Sequence, residues 1–167
     1  MTAKPDRCEE VLVALRRLIR AVDLHSRHLA QTHGLTSPQA LILKEALAGA
    51  PLSAGEIARR VSLSQATVTD ILNRLERRGL LTRVRSNEDR RRVLVQATRA
   101  GRDLMRRSPP LLQERFAERF MRLADWEQTM LLASLQRIAG MMDAGDIDAA
   151  PVLSSGAMTA PIGEVEG

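Results

Sequence analysis

Residues 52–95 read LSAGEIARRVSLSQATVTDILNRLERRGLLTRVRSNEDRRRVLV, and this stretch decides the fold of the chain. Its apolar residues first recur with helical spacing, and near its end they change to the alternation of a β-strand. Ser53 and Glu56 form a capping box, which opens a short helix through Arg60. Ser64 then caps a longer helix. Two helices joined by a tight turn predict a helix-turn-helix.

Two short strands follow the second helix, which Gly79 closes. The strand candidates are Leu81–Arg85 and Arg92–Gln96, and Ser86–Asp89 between them is typical of a hairpin turn. A helix-turn-helix followed by a two-stranded hairpin has the order of a winged helix-turn-helix, whose second helix enters the major groove of DNA. In this chain that recognition helix is Ser64–Arg78.

Positive charge is concentrated in the same region. Residues 71–95 hold eight arginines against three acidic residues, an excess of +5 that equals the net charge of the whole chain. Such a local excess indicates a surface for a polyanion, and arginines on a hairpin can reach the minor groove. Gln and Asn at the start of a recognition helix can pair with adenine edges. The residues expected to contact DNA are Ser64, Gln65, Thr67, Thr69, Asn73, Arg74, Arg77, Arg85, Arg90 and Arg91.

Long helical patterns flank this unit. A first helix is predicted from about Asp6 to His33, and a capping box of Thr36 and Gln39 opens a second helix that runs to about Ala48. After the hairpin, Thr98 caps a helix that Ser108–Pro110 interrupts. Two further helices are predicted over Leu111–Leu123 and Asp125–Met142. The remainder, Asp143–Gly167, lacks periodicity and is expected to be a flexible tail or to lie on the body of the protein.

The runs LTSPQALIL (35–43) and residues 52–101 resemble the MarR family of multiple-antibiotic-resistance regulators. The most specific motifs are L-x-R-L-E-x-x-G-L at Leu72–Leu80, D-x-R at Asp89–Arg91, and V-x-x-T-x-x-G at Val95–Gly101. The resemblance covers about residues 10–142. It implies a transcriptional repressor, mainly α with a small β-hairpin wing, in which a winged helix-turn-helix is flanked by N- and C-terminal dimerisation helices.

The resemblance also implies roles for single residues of the wing. It adds Asp89 to the DNA-binding set, as the acid that orients Arg91 in the minor groove. Family members often carry aspartate at the position of Asn73, where it pairs with the wing arginine. Asparagine would pair less strongly, so wing orientation is expected to depend more on Asp89.

Apolar faces on the first and last helices predict a homodimer, because the winged unit does not need them for its own core. The residues expected in this interface are Leu12, Leu15, Ile19, Leu131, Leu135, Ile138 and Met142. A two-fold dimer presents two recognition helices, so the expected partner is double-stranded DNA with an inverted repeat. The expected organisation is a dimerisation helix (1–34), a winged helix-turn-helix (35–100), C-terminal dimerisation helices (101–142) and the tail (143–167).

Small-molecule control is a further implication of the resemblance, since many members of the family release DNA when an effector binds. The candidate lining is Leu18, Val22, His25, Leu29 and His33 from the first helix and Leu41 and Leu43 from the second, with plain core packing as the alternative for each. The runs RCEEVLVALRRLIRAVDLHS (7–26) and DIDAAPVL (146–153) are similar to a subgroup linked to ectoine-type compatible solutes. That similarity implies an osmotic-stress repressor.

Other functions find less support. Cys8, the single cysteine, leaves a redox-sensing repressor as an alternative, but Glu9 and Glu10 disfavour the thiolate that sensing needs. His25 and His28 share a helix face without a cysteine pair, so we expect no metal and no cofactor.

Enzyme and membrane functions are also disfavoured. The sequence has no nucleophile elbow, phosphate-binding loop or H-E-x-x-H motif, so we expect no enzyme. No apolar run is long enough for a bilayer, so we expect a cytoplasmic protein without a membrane partner. The competing class is a dimeric interaction module whose basic wing binds an acidic protein.

Overall fold

The computed structural model of the chain describes residues 6–86, 89, 91–147, 149 and 152–155. Within them, helices and short strands follow one another as α1 (Arg7–His33), α2 (Ser37–Glu45), β1 (Leu52–Ser53), α3 (Ala54–Val61), α4 (Gln65–Arg77), β2 (Leu81–Arg85), β3 (Val93–Ala97), α5 (Arg99–Arg107), α6 (Leu112–Phe120) and α7 (Asp125–Met141). The predicted fold class, mainly helical with a small antiparallel sheet, is confirmed.

Side-chain caps start the helices of the winged unit where the sequence places them. The Thr36 hydroxyl accepts from Gln39 N, and the Gln39 side chain accepts from Thr36 N in return. Ser53 and Glu56 form the same reciprocal box at α3. At α4, Ser64 Oγ accepts from Thr67 N at 3.1 Å. These local hydrogen bonds satisfy N–H groups that the first turn of a helix leaves open.

The prediction that α2 runs to about Ala48 was wrong by three residues, since the helix ends at Glu45. Beyond it the chain tightens into turns, in which Leu47 N donates to Lys44 O and Ala48 N donates to Glu45 O. The strand predicted from Arg92 begins at Val93, because Arg92 N donates to Asp89 O at 2.9 Å as part of the hairpin turn.

The sheet has three strands in the order β1-β3-β2, all antiparallel. Strand β3 pairs with β2 from Leu81↔Ala97 to Arg85↔Val93, and these two strands form the wing. On its other edge, β3 pairs with the two-residue strand β1, Leu52 opposite Val95. Strand β1 was not predicted, because two residues carry no alternation that could be recognised.

Most of the hydrophobic core lies among α2, α3, α4 and the sheet, and Leu29 of α1 packs into it. It is aliphatic, as the scarcity of aromatic residues requires. Its fully buried side chains include Leu29, Leu35, Ile42, Leu43, Ile57, Val68, Ile71, Leu72, Leu75 and Val95.

The V-x-x-T-x-x-G motif joins the sheet to α5. Thr98 Oγ1 donates to Gly79 O at 2.7 Å, while Thr98 N donates to Leu80 O at 3.1 Å. The same hydroxyl accepts from Gly101 N and caps α5. A Cβ atom on Gly101 would lie 2.2 Å from Leu80 O, so α5 packs against this backbone only because residue 101 is glycine.

Helices α6 and α7 bury none of their own residues within the protomer. Both are shorter than the predicted Leu111–Leu123 and Asp125–Met142, and α6 ends at Phe120 with a turn. Several large apolar side chains are exposed on α1, α6 and α7: Leu12, Leu18, Ile19, Leu24, Phe116, Trp126, Met130, Leu131, Leu132, Leu135 and Met141. Among the described residues, no helix is both long and apolar enough to cross a bilayer.

Part of the C-terminal segment lies on α1. Val152 is buried in the core cluster. Ser155 N donates to Ser26 Oγ and Ser155 Oγ donates to Asp23 Oδ1, both at 3.1 Å. Residues 152–155 therefore lie against α1 and the core.

Candidate nucleic-acid interface

Helix α4 has one buried face and one exposed face. Val68, Ile71, Leu72 and Leu75 are buried in the core. Because residues four apart lie on one side of a helix, Gln65, Thr69, Asn73 and Arg77 form a single stripe on the other side. Gln65, Asn73 and Arg77 are exposed, and Thr69 is half-buried.

The polar residues of α4 divide into two groups by their hydrogen bonds. Ser64 Oγ lies 2.8 Å from Thr67 Oγ1, and Thr69 Oγ1 donates to Gln65 O at 2.8 Å. These hydroxyls therefore already stabilise the helix. The side-chain amides of Gln65 and Asn73 make no hydrogen bond to other described residues, which leaves them available to base edges.

The two arginines at the end of α4, Arg77 and Arg78, also differ in their hydrogen bonds. Arg77 is exposed, and among the described residues its Nε donates only to Asn73 O of its own helix, at 3.4 Å. Arg78, the C-cap residue of α4, donates from Nη1 to Gly34 O at 2.5 Å. This bond directs the Arg78 side chain toward α1.

Two ion pairs hold the wing against the helical body. Arg83 on β2 pairs with Glu76 of α4 at 2.6 Å, and Arg92 beside β3 pairs with Glu56 of α3 at 2.8 Å. The predicted strands Leu81–Arg85 and Arg92–Gln96 contain both arginines, but the sequence analysis identified no partner for either. The pairing with Glu56 was missed because the two residues are 36 positions apart, and no local pattern connects them.

Glu56 is the most strongly perturbed acid of this region. Hydrogen bonds from the Ser53 hydroxyl, from Ser53 N and from Arg92 lower the pKa of Glu56 to about 2. Its carboxylate is therefore charged at neutral pH, where it caps α3 and holds the base of the wing at the same time.

At the wing tip, Asp89 acts on the backbone. Its Oδ1 accepts from Arg91 N at 2.9 Å and so shapes the turn. The side chain of Arg91 is exposed and makes no ion pair with another described residue, and Arg85 on β2 is exposed as well. Arg90, a predicted DNA contact, lies outside the described residues.

Arg59 is a candidate contact that the sequence analysis missed. It is exposed in the last turn of α3 and makes no ion pair with a described residue. With Gln65 it lines a groove of about 510 Å³ between α3 and the start of α4. Its neighbour Arg60 instead pairs with Glu45 at 3.6 Å. The sequence could have indicated this contact, because Arg59 stands just before the recognition helix.

The predicted effector-lining residues differ widely in exposure. Leu29, Leu41 and Leu43 belong to the core, while Leu18 is 57% exposed. Nε2 of His25 is buried without a hydrogen-bond partner among the described residues. Burial, and then the charges of Arg115 and His28, lower the pKa of His25.

A cavity of about 700 Å³ lies elsewhere, between α2, α5 and α6. Its walls include Lys44, Leu47, Arg102, Met105 and Leu111. None of the predicted effector-lining residues contributes to it. Among the described residues, no cluster of three or more potential metal ligands occurs.

The fold and the exposed stripe of α4 define a winged helix-turn-helix protein, and comparisons with known proteins specify the family. The model of the MarR family matches residues 35–93. The chain is 31% identical to the PcaV transcriptional regulator from Streptomyces coelicolor, with a TM-score of 0.54, over 78% of this chain and 95% of that one. It is also 24% identical over 110 residues to the homoprotocatechuate degradative operon repressor of Escherichia coli, covering 66% of this chain and 74% of that protein.

The chain belongs to the MarR family. MarR from E. coli itself is 20% identical, with a TM-score of 0.50 over 81% of this chain and 98% of that one, and this likeness concerns the fold alone. PcaV has also been solved in complex with its natural ligand, at a TM-score of 0.52 and 30% identity over 84% of this chain and 99% of that one. The comparisons do not test the similarity to the compatible-solute subgroup, which stays a prediction.

Proposed function

We propose that the protein is a homodimeric transcriptional repressor that binds an inverted-repeat operator through α4 and the wing. The exposed stripe of α4 carries this proposal. Its amides at Gln65 and Asn73 are unused by the fold, and arginines with exposed side chains stand on both sides of them. Amides at the centre and guanidinium groups at the edges match base edges and phosphates in a major groove.

The proposed contacts fall into two classes. Gln65 and Asn73 read bases. Ser64, Thr67 and Thr69 contact the DNA by surface complementarity near the start of the helix. Phosphate and minor-groove contacts come from arginines on three elements, and these residues are Arg59, Arg74, Arg77, Arg85, Arg90 and Arg91. Asp89 supports this set through the backbone bond that fixes Arg91 at the turn.

Exposed apolar side chains of α1 and α7 support the homodimer. Ile19 on α1 is 68% exposed and Leu135 on α7 is 48% exposed in the protomer. Contiguous apolar surface of this kind marks an interaction site. A second copy of the chain is its proposed occupant, through Leu12, Leu15, Ile19, Leu131, Leu135, Ile138 and Met142. Residues 1–34 and 101–142 then form the dimer, and residues 35–100 bind DNA.

Small-molecule control is part of the proposal, with osmotic stress as its physiological setting. The complex of PcaV with its natural ligand supports an effector in this family member too. An effector that binds beside α1 would act by favouring one separation of the two recognition helices over another. Among the predicted lining residues, Val22, His25 and His33 are the half-buried ones and the best placed for such contacts.

Selection from a random pool tests the DNA-binding function and identifies the operator sequence in the same experiment. The full-length protein is mixed with duplexes that contain a randomised central segment, and the bound fraction is amplified and sequenced over several rounds. We expect enrichment of an inverted repeat whose half-site centres lie about 10 bp, or a multiple of this distance, apart. Absence of any enriched sequence, with binding to all duplexes, would favour the interaction module with a basic wing.

A further inference from the structure

The C-terminal end of α1 meets the ends of two other helices. Gly34 ends α1, and its carbonyl oxygen accepts from Arg78 Nη1 at the end of α4. One residue earlier, Nε2 of His33 lies 3.0 Å from the carbonyl oxygen of Arg107 at the end of α5. We call these four residues the helix-end junction.

Gly34 is suited to this contact in two ways. It adopts the left-handed conformation (φ 62°), which glycine reaches without strain, and its N–H donates to Ala30 O. Its own carbonyl lies past the helix end, where no intrahelical N–H can reach it. The Arg78 guanidinium supplies a charged donor there, at the negative end of the α1 dipole. A Cβ atom on residue 34 would come within 3.1 Å of Arg78 Nη2.

His33 is held in a defined orientation. Its Nε2 faces a backbone carbonyl, which can only accept, so Nε2 carries the proton. Nδ1 lies 2.6 Å from the Thr32 hydroxyl. The Thr32 hydroxyl donates its hydrogen to His28 O at 2.6 Å, so the bond that ties the end of α1 to the end of α5 is the one from Nε2 of the imidazole.

Arg78 differs from Arg77 in direction as well as in partners. Consecutive residues of a helix point about 100° apart, while residues four apart share a face. Arg77 thus lies on the exposed stripe with Asn73, and Arg78 points away from it, toward α1. A residue with this placement connects α4 to α1, the helix that belongs to the proposed dimer interface.

We propose that Arg78 is a positioning residue for DNA binding. Its bond to Gly34 fixes the angle between α1 and α4, and so sets the separation of the two recognition helices in the dimer. This inference rests on the proposed function, a homodimer that binds an inverted repeat. It assigns Arg78 to the spacing of half-sites and Arg77 to phosphate contact.

Two measured quantities distinguish the positioning role of Arg78 from the phosphate contact of Arg77: the preference for one half-site spacing and the salt dependence of the affinity. The probes are the inverted repeat that the wild-type protein selects from a random pool and two versions with one base pair inserted or removed at the centre. Fluorescence anisotropy gives the affinity of each probe over a salt series for the wild type, Arg78→Ala, Arg78→Lys and the matched control Arg77→Ala. Circular dichroism verifies that each variant is folded.

We expect Arg78→Ala to keep the salt slope and to reduce the preference for the correct spacing by about 2- to 30-fold, the range of measured coupling between sites. Arg78→Lys keeps a donor for Gly34 O and should restore part of that preference. Arg77→Ala removes one phosphate contact from each of the two subunits, so it should lower the slope of log K against log salt by about 1.8 and leave the spacing preference unchanged. A lower slope for Arg78→Ala at unchanged spacing preference, or no change in either, overturns the proposal.

A second measurement needs neither DNA nor the dimer. In a Cys8→Ser background, spin labels at Arg17→Cys on α1 and Asp70→Cys on α4 report the distance between the helices, with labelled chains diluted in unlabelled protein. We expect one narrow distance distribution for the wild-type junction and a broader or shifted one with Arg78→Ala or Arg78→Lys, the lysine variant being the less affected. Identical distributions would refute the positioning role, whereas a wild type that selects no DNA would refute only the proposed function.

Discussion

Gly101 shows how one residue fixes the packing of two elements. The carbonyl of Leu80 lies where a Cβ atom would be, so α5 and the start of the wing approach each other across a glycine. The sequence motif marked this position as part of a family pattern. It did not reveal the reason, because the contact joins residues that only the fold brings together.

We therefore expect Gly101→Ala to lower the free energy of unfolding by about 1–3 kcal/mol, the usual cost of overpacking. Gly55→Ala is the matched control, since a Cβ atom there meets nothing within 4 Å. That change should be neutral or stabilising by up to about 1 kcal/mol. Urea denaturation at one fixed protein concentration measures both, and equal stabilities for the two variants would contradict the close approach.

Glu56 gives a prediction for the pH dependence of stability, again at the scale of a single residue. Its pKa falls from 4.5 to about 2 on folding, so the folded state favours the charged carboxylate. The stabilisation is complete above pH 4.5 and is lost as the pH falls through about 2. Glu56→Gln removes this contribution, so the difference in unfolding free energy between wild type and variant should shrink over that window. If the difference in unfolding free energy does not change with pH, the charged carboxylate of Glu56 does not stabilise the fold.

Elements were predictable where their signals are local. The caps at Thr36, Ser53, Ser64 and Thr98 were predicted correctly, because a cap and its partner lie three residues apart. The end of α2, the strand β1 and the anchoring of the wing were missed. The wing depends on partners in other helices, and β1 exists only because β3 pairs with it.

The wing is expected to act as a separate element in DNA binding. Arg91→Ala should weaken binding to the selected repeat and lower the slope of log K against log salt by about 1.8, because each of the two subunits loses one contact to the DNA backbone. Arg99→Ala is the control, since this arginine is exposed but pairs within α5 with Asp103 at 3.9 Å. Anisotropy over a salt series measures both variants, and an unchanged slope for Arg91→Ala would remove the wing from the interface.

On the scale of the whole molecule, the protomer leaves its terminal helices incomplete. The sequence predicts a dimer from apolar faces that the winged unit does not need; in the structure α6 and α7 bury no residue of their own, and the dimer itself stays a prediction. The candidate effector residues could not be judged from sequence. An apolar residue on a helix can line a pocket or pack in the core, and its position in the sequence does not distinguish the two. The three-dimensional packing assigns Leu29, Leu41 and Leu43 to the core.

Leu135→Glu tests the dimer, because it puts a charge into the proposed interface. Sedimentation should show the mass of one 18.5 kDa chain for this variant and of two for the wild type. Gln136→Glu adds the same charge one residue further, off the apolar stripe, and should remain dimeric. A wild type that sediments as a single chain at micromolar concentration would rule out the stable homodimer.

The most direct test of the account is the affinity of the wild-type protein for its selected inverted repeat relative to a scrambled duplex of equal length and composition, at one salt concentration. Fluorescence anisotropy measures both in the same buffer. We predict a ratio of about a thousand or more in favour of the repeat, as is usual for specific over non-specific binding. Equal affinities would contradict sequence reading by α4 and leave only a basic surface.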